Sequence, residues 1–358
     1  VYPALTVLAE LGDEADAVLW VGGEKGMEAD LVTRQNVPFA GIPAAGVHGV
    51  GLGRLPGNLL QLARGVSASR RILREFQPDV LFFTGGYVAV PMALMGIPLN
   101  SLLFVPDIEP GLALKTLARF SDCLAVTTPE SRQYFSSKKR VVTTGYPVRF
   151  ELRTWTRESG RAALNLQGDQ PVLLIFGGSK GARSINQAVI RSLPDLLALA
   201  QVVHISGQLD WQEVSAAAQA LPDALADRYH PFPYLHEEMG ATLASADLAV
   251  SRAGASSLGE FPFFGLPAVL VPYPYAWRYQ KVNADYLAER KAAVVIEDQR
   301  LQAELLPVVR DLLADQKKLS EMRRAMQALS RPHAARDIAN LLRELAAQPA
   351  RKGKRTLW

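Results

Sequence analysis

Short runs of Val, Ile, Leu and Phe, each stopped by glycine, proline, serine or threonine, recur along the chain and restrict the folds open to it. In the first half they are DAVLWVGG (16–23), PDVLFFTGG (78–86), NSLLFVPD (100–107), CLAVTTP (123–129) and RVVTTGYP (140–147). The second half has PVLLIFGGSKGA (171–182), AQVVHISG (200–207), DRYHPFPYL (227–235), ADLAVSRAGA (246–255), PAVLVPYP (267–274) and AAVVIED (292–298). Most are apolar without alternation, the mark of strands covered on both faces, and helical patterns lie between several of them. The expected class is α/β with parallel sheets. Between residues 147 and 170 the rhythm lapses and the chain becomes more polar, so it reads as two doubly wound domains. Residues 1–148 form the first and 149–332 the second; 333–358 are a helix and basic tail expected to pack back on the first. Ligands of such domains bind outside the carboxyl ends of the strands, and with two facing domains a cleft is expected between them.

A chain of 358 residues, 49% hydrophobic and 21% charged, is long enough for two such cores and unlike a disordered or fibrous protein. One cysteine, Cys123, excludes an intramolecular disulfide and fits a reducing compartment. No uninterrupted apolar run reaches the ~18 residues of a membrane span, and the opening helix, which carries Glu10, lacks a basic leader. The formal charge is +4, with positive excess in ASRRILRE (68–75) and ARKGKRTLW (350–358). A solvated surface and an anionic membrane face are both open to these patches, and nucleic acid is disfavoured. Segment 51–76 mixes Leu59, Leu60, Leu62, Val66, Ile72 and Leu73 with Arg64, Arg70, Arg71 and Arg74. Its apolar side fits either domain packing or a reversible seat on anionic lipid. In AARDIANLLRELAAQ (334–348), Ile338, Leu341, Leu342 and Leu345 share one helix face.

The strongest phosphate candidate is the loop GGSKGA after LLIF. Gly177, Gly178 and Gly181 let a ligand approach the backbone, Ser179 offers a hydroxyl, Lys180 and Arg183 offer charge, and the following helix presents its amide end. The loop fits neither GxxxxGK[ST] nor GxGxxG, so neither ATP nor NAD is favoured, and a plain strand-to-helix turn is the alternative. After ADLAVS, the turn from Arg252 through Gly254, Ala255, Ser256 and Ser257 leaves room for a ligand against the backbone. Glu260 beyond it can accept both hydroxyl hydrogens of a ribose, or else cap or pair locally. Together the two loops suit a nucleotide sugar.

Arg278, Tyr279, Gln280 and Asn283 follow the next strand; Gln280 and Asn283 suit sugar hydroxyls, and Asn283 alternatively caps a helix. Arg149 suits either donor phosphate charge or a structural ion pair. Tyr87 in TGGYVAVP and Asp107 in FVPDIEPG stand at first-domain strand ends, where a second substrate would arrive. His48, His204, His230, His236 and His333 are too scattered for a triad or metal ligation, so no metal is expected.

In order, VYPAL, FTGGYVAVP, EPGLALKTLARFSD, TGYPVR, FGGSKGARSINQ, SRAGASSLGE and LVPYPYAWRYQKVNADYL carry a resemblance over almost the whole chain. The chain resembles the bacterial undecaprenyl-diphospho-muramoylpentapeptide beta-N-acetylglucosaminyltransferases, family 28 enzymes of GT-B architecture built from two Rossmann-like domains. The resemblance implies an N-terminal acceptor-binding domain and a C-terminal UDP-sugar-binding domain. It implies inverting transfer of N-acetylglucosamine from UDP-N-acetylglucosamine to lipid I, forming lipid II, by a peripheral protein on the cytoplasmic face of the membrane. UDP-N-acetylglucosamine is then a substrate and no cofactor is expected. The undecaprenyl-diphosphate-linked acceptor, an anionic membrane surface and cell-wall synthesis proteins are the implied partners.

By the same resemblance, Ser179, Lys180 and the adjoining glycines match the diphosphate loop, and Ala255, Ser256 and Ser257 match the turn beside the diphosphate and ribose. Glu260 matches the ribose carboxylate, Gln280 one of two sugar-holding glutamines, Arg149 an arginine near the donor, and His236 falls near the loop that reads the uracil. Lys180 stands where the family commonly has Gln, Tyr279 replaces the second glutamine, and Trp277 replaces an acidic residue. FVPD replaces HEQN before xxPG, so Asp107 stands where an asparagine would be. The family also implies a strand and GGTGGH-like loop ahead of VYPAL that carries the histidine proposed as base; in the chain itself Asp107 is the candidate. The altered FVPD loop keeps two alternatives open, a related UDP-sugar transferase with another acceptor and a non-catalytic UDP-sugar-binding homologue.

Overall fold

The computed structural model describes residues 1–24, 28–43, 55–178, 180–274 and 279–349. The chain divides into two compact units, Val1–Pro147 with His333–Trp358, and Val148–Pro332. Strands β1 (Trp20–Gly23), β2 (Phe39–Ile42), β3 (Val80–Phe83), β4 (Asn100–Val105), β5 (Cys123–Val126) and β6 (Arg140–Thr143) lie in the first unit. The second holds β7 (Val172–Phe176), β8 (Gln201–Ile205), β9 (Tyr229–Phe232), β10 (Leu248–Ser251), β11 (Ala268–Leu270) and β12 (Ala293–Val295). Their pairings are parallel. Each apolar run supplies a strand, and β2 is one that the sequence did not announce.

In the first unit β1 pairs with β2, while β3-β4-β5-β6 form a four-stranded sheet in chain order. Alternate residues of β4 feed two cores, which is why the run shows no polar alternation. Leu103 and Val105 join Leu81, Phe83, Leu117 and Leu124 on one face. Leu102 and Phe104 join Val7, Cys123, Ala125 and the helix Ala334–Ala347 on the other. That last helix buries Ile338, Leu341, Leu342 and Leu345, and Asn100 Nδ2 donates to its Leu345 carbonyl at 2.9 Å and to the Gln348 carbonyl at 3.0 Å. Arg343–Glu14 and Arg140–Glu344 pairs fasten its exposed side.

The segment that loses the strand rhythm folds as the helices Phe150–Arg153 and Arg157–Ala163, the second opened by a Thr156–Ser159 capping box. Beyond it the sheet order is β12-β11-β10-β7-β8-β9. The chain therefore starts in the middle at β7, runs outward to β9, returns to the other side of β7 as β10 and runs outward again. Such a reversal opens a crevice between the loops that leave β7 and β10, the general ligand position in open parallel sheets. Leu173, Ile175, Val202, Leu248 and Val250 pack with Ile185, Val189, Leu305 and Val309 in the core below.

Among the described residues no helix is long and apolar enough to cross a membrane. The helix Leu55–Phe76 divides its residues between packing and solvent: Leu73 is core, Ile72 lies against it, and Arg64, Arg70, Arg71 and Arg74 are exposed along with Leu60.

Candidate functional site

The loop after β7 turns back so tightly that only glycine fits at three positions. A Cβ on Gly177 would meet the Ala182 nitrogen at 2.2 Å, and one on Gly181 would meet the Ser206 carbonyl oxygen at 2.1 Å. Gly178 and Gly181 have φ of +93° and +78°, which side-chain-bearing residues rarely adopt. The helix Arg183–Arg191 starts at once, with no side chain capping it, so its first-turn amides make the end a natural anion seat. Lys180 and Arg183 are exposed beside it, whereas Ser179 lies outside the described residues.

A buried network holds the rear of this loop. His204 Nε2 lies 3.0 Å from Asn186 Oδ1 and its Nδ1 2.8 Å from the Tyr229 hydroxyl. Asn186 Nδ2 donates to the Ser206 carbonyl at 2.9 Å and to Asp210 at 2.8 Å. Burial pushes the His204 imidazole down to about 3, so it stays neutral within this network.

The turn after β10 lies on the other side of the reversal. A Cβ on Gly254 would meet nothing within 4 Å, so there is open space against this backbone. Ser257 Oγ donates to the Gly254 carbonyl at 2.6 Å, and Asn283 Nδ2 donates to the Ala253 carbonyl at 3.1 Å. Ala255–Leu258 form a 3₁₀ turn, and Glu260 opens the helix Glu260–Phe264. Burial pushes the Glu260 carboxyl up to about 7, opposed by the positive charge of Arg149 and a hydrogen bond with Ser256. Arg149 stands at the N-cap of Phe150–Arg153 in the same unit, so two of the predicted residues, Arg149 and Ser256, act on a third, Glu260.

Other predicted residues have different surroundings. Asn283 does not cap a helix, because the helix already runs from Tyr279 to Glu289; Asn283 is interior to it, fully buried, and anchors the turn through Ala253. Gln280 Oε1 accepts from the Tyr273 amide at 2.9 Å, and Tyr279 beside it is half-buried. Trp277 and Arg278 lie outside the described residues. His236 is exposed and sits edge-on to Tyr234 with ring centroids 4.6 Å apart.

Arg252 is folded into a network, with its guanidinium on Asp298, Ser184 and the Val271 carbonyl. In the first unit, Tyr87 is 49% exposed after two glycines of positive φ, and Asp107 is half-buried one residue beyond Pro106. Ser184, Asn186, Asp210 and Asp298 carry no local signal in the sequence, because their partners come from distant loops. Neither does Glu109, buried within the FVPDIEPG loop with Lys115 at 3.6 Å. Among the described residues no cluster of three or more His, Cys, Asp or Glu could hold a metal ion.

Residues 1–126 match the glycosyltransferase family 28 N-terminal domain, and residues 172–341 match the glycosyltransferase family 28 C-terminal domain. The chain belongs to glycosyltransferase family 28. Among its family 28 relatives, the UDP-N-acetylglucosamine–N-acetylmuramyl-(pentapeptide) pyrophosphoryl-undecaprenol N-acetylglucosamine transferase of Roseiflexus sp. (strain RS-1) is 39% identical, covering 92% of this chain and 84% of that protein. The like-named protein of Desulforamulus reducens is 36% identical over 96% of this chain and 95% of its own length. The crystal structure of Acinetobacter baumannii MurG superposes with a TM-score of 0.76 at 27% identity, covering 96% and 95% of the two chains. UDP-GlcNAc 2-epimerase from Neisseria meningitidis has a TM-score of 0.67 at 12% identity over 96% of each chain, a likeness of fold alone. The family 28 chain is thus a glycosyltransferase of GT-B architecture.

Proposed function

We propose that this family 28 enzyme transfers N-acetylglucosamine from UDP-N-acetylglucosamine to an N-acetylmuramyl-(pentapeptide) pyrophosphoryl-undecaprenol acceptor, with inversion at the anomeric carbon. The observation that carries the proposal is the pair of loops at the strand reversal, a glycine-built anion seat after β7 and a buried carboxylate after β10. The names of the relatives supply the sugar and the acceptor.

In this reading Gly178, Ser179, Lys180 and Gly181 receive the diphosphate, with the helix end behind them. Gly254, Ala255, Ser256 and Ser257 line the turn beside it. Glu260 accepts the ribose hydroxyls, Arg149 balances charge near the donor, Tyr279 and Gln280 form the sugar side with the buried Asn283 holding the turn behind them, and His236 borders the base. An acceptor hydroxyl attacks the anomeric carbon as the bond to the UDP oxygen breaks; UDP leaves with the electron pair, and the loop amides and Lys180 stabilise its growing charge. A general base takes the acceptor proton, and Asp107, with Tyr87 on the acceptor side, is the candidate from this chain. No resident cofactor or metal enters these steps.

The first unit is read as the acceptor side and the second as the donor side. The exposed arginines of Leu55–Phe76 are read as meeting an anionic membrane surface on the cytoplasmic face, where cell-wall synthesis proteins would be neighbours.

The test is a transfer assay with UDP-N-acetylglucosamine and lipid I in mixed micelles, read by mass spectrometry of the product. The expected result is a disaccharide-pentapeptide lipid and inverted configuration, with donor turnover lost in Glu260→Ala. Release of a free epimerised sugar without acceptor, or donor binding without any transfer, would refute it. Transfer only to a different lipid or small acceptor would uphold the chemistry and replace the acceptor, the outcome that the FVPD loop motivates.

A further inference from the structure

We propose that Arg252, Asp298 and Ser184 are positioning residues that brace the anion loop against the turn carrying Glu260, and that Arg252 does not itself contact the donor phosphates. The three side chains form a closed ring. Arg252 Nη1 donates to Asp298 Oδ1 at 2.6 Å, Arg252 Nη2 donates to Ser184 Oγ at 2.8 Å, and the Ser184 hydroxyl donates to the same Asp298 oxygen at 2.7 Å. Nη1 also donates to the Val271 carbonyl at 3.0 Å, and the guanidinium lies 5.2 Å from the Tyr273 ring centroid.

The ring gathers four separate pieces of chain. Arg252 is the first residue after β10, Val271 the first after β11, Asp298 lies just beyond β12, and Ser184 is the second residue of the helix that begins at the anion loop. It therefore ties the helix start on the β7 side of the reversal to the Glu260 turn on the β10 side. The Arg252 side chain is only 9% exposed and already faces a carboxylate, so it presents no uncompensated cation to an incoming anion. Breaking such a sheltered pair leaves a charge without its partner, and the loops it joined are free to shift.

Two ligands separate positioning from contact. In the proposed site UDP spans both loops, whereas uridine uses the turn after β10 and the His236 side of the base and leaves the anion loop empty. Asp298→Asn is expected to weaken UDP by about tenfold, the scale of one charge-assisted hydrogen bond, while uridine affinity changes less than about twofold. Ser184→Ala, which leaves the ion pair intact, is expected to weaken UDP by about threefold with the same selectivity. Arg252→Lys should recover part of what Arg252→Met loses. In turnover, the donor KM should rise with kcat at saturating donor held.

If Arg252 touched phosphate directly, removing the competing carboxylate would leave UDP binding unchanged or tighter in Asp298→Asn, and that result overturns the brace. An equal loss of UDP and uridine in both Asp298→Asn and Ser184→Ala also overturns it. The inference rests on the proposed donor site: an unaltered chain that binds neither ligand removes site and brace together. An unaltered chain that binds both, with variants that fail to discriminate, removes the brace alone.

Discussion

In the second unit the loops at the carboxyl edge of the sheet are tied to one another by side chains. Asn186 and His204 join the helix after β7 to β8 and β9, Asn283 holds the turn after β10, and Arg252 with Asp298 links the ends of β10, β11 and β12. The corresponding edge of the first unit is held differently, with Lys115 paired to the buried Glu109 at 3.6 Å. Thr127 Oγ1 donates to the Pro106 carbonyl at 2.8 Å, but the Thr128 and Ser131 hydroxyls are buried with no hydrogen-bond partner among the described residues, and Tyr87 stands 49% exposed. The difference is physical. Amides aimed at a diphosphate act strongly only when their spacing is fixed before the ligand arrives, so a donor site gains from every brace behind it.

Each unit has its own core, so the two are expected to unfold as separate cooperative bodies, and the largest predicted effect tests that. Ile338 is fully buried in the first unit although its helix follows the second in the chain. Ile338→Asp buries a carboxylate among Phe104, Val7 and Leu342, at an expected cost of about 4 kcal/mol or more. Two unfolding transitions are expected by calorimetry, the first unit melting early and UDP still raising the second. Loss of UDP binding in step with the first unit would break the separation.

Next in size is Gly181→Ala. The new methyl meets the Ser206 carbonyl at a backbone φ of +78°, for an expected destabilisation of about 3 kcal/mol. UDP binding should fall far more than uridine binding, because the damage is confined to the anion loop. Equal losses would mean that the two loops do not divide the ligand as proposed.

How much of this was legible follows from where each signal lives. Parallel strands announce themselves because both faces are buried, as β4 shows with all six residues covered. β2 did not: Pro38, Ala40 and Gly41 interrupt the apolar run, and only pairing with β1 makes it a strand. The amphipathic pattern of 334–348 gave a helix with one apolar face, but such a face does not name the core that receives it. In the candidate site, glycine loops and Glu260 were readable because their chemistry is local. The brace was not, since Ser184 meets Asp298 across 114 residues and Arg252 across 68.

Glu260 sharpens the comparison through pH. Its folded carboxyl titrates near 7 against an ordinary 4.5, so between those values the folded state holds more protons than the unfolded chain. The stability this contributes is complete below pH 4.5 and is lost as pH rises through 7. Glu260→Gln should therefore be the more stable protein at pH 8, by on the order of 2 kcal/mol, with the advantage gone at pH 4.5. Uridine affinity should run the other way in the unaltered chain, tightening as the carboxylate forms, and should lose its pH dependence in the variant. Denaturant melts and titrations at the two pH values read both slopes.

The smallest effect is the most direct measure of the difference between the two edges. A buried hydroxyl that already has a partner costs stability when removed, whereas one without a partner has been desolvated for no return. Ser257, which donates to the Gly254 carbonyl at 2.6 Å, belongs to the first kind and Thr128 to the second. Ser257→Ala is expected to cost about 1 kcal/mol, while Thr128→Val, which exchanges the hydroxyl for a methyl of similar size, should fall within about 0.5 kcal/mol of zero or stabilise. Chemical denaturation of each variant, with the two unit transitions resolved, gives both numbers. A loss above about 1 kcal/mol for Thr128→Val would mean that its hydroxyl is bonded in solution, to an ordered water for instance. The Thr128 hydroxyl would then be bonded as the Ser257 hydroxyl is, and this contrast between the two edges would be gone.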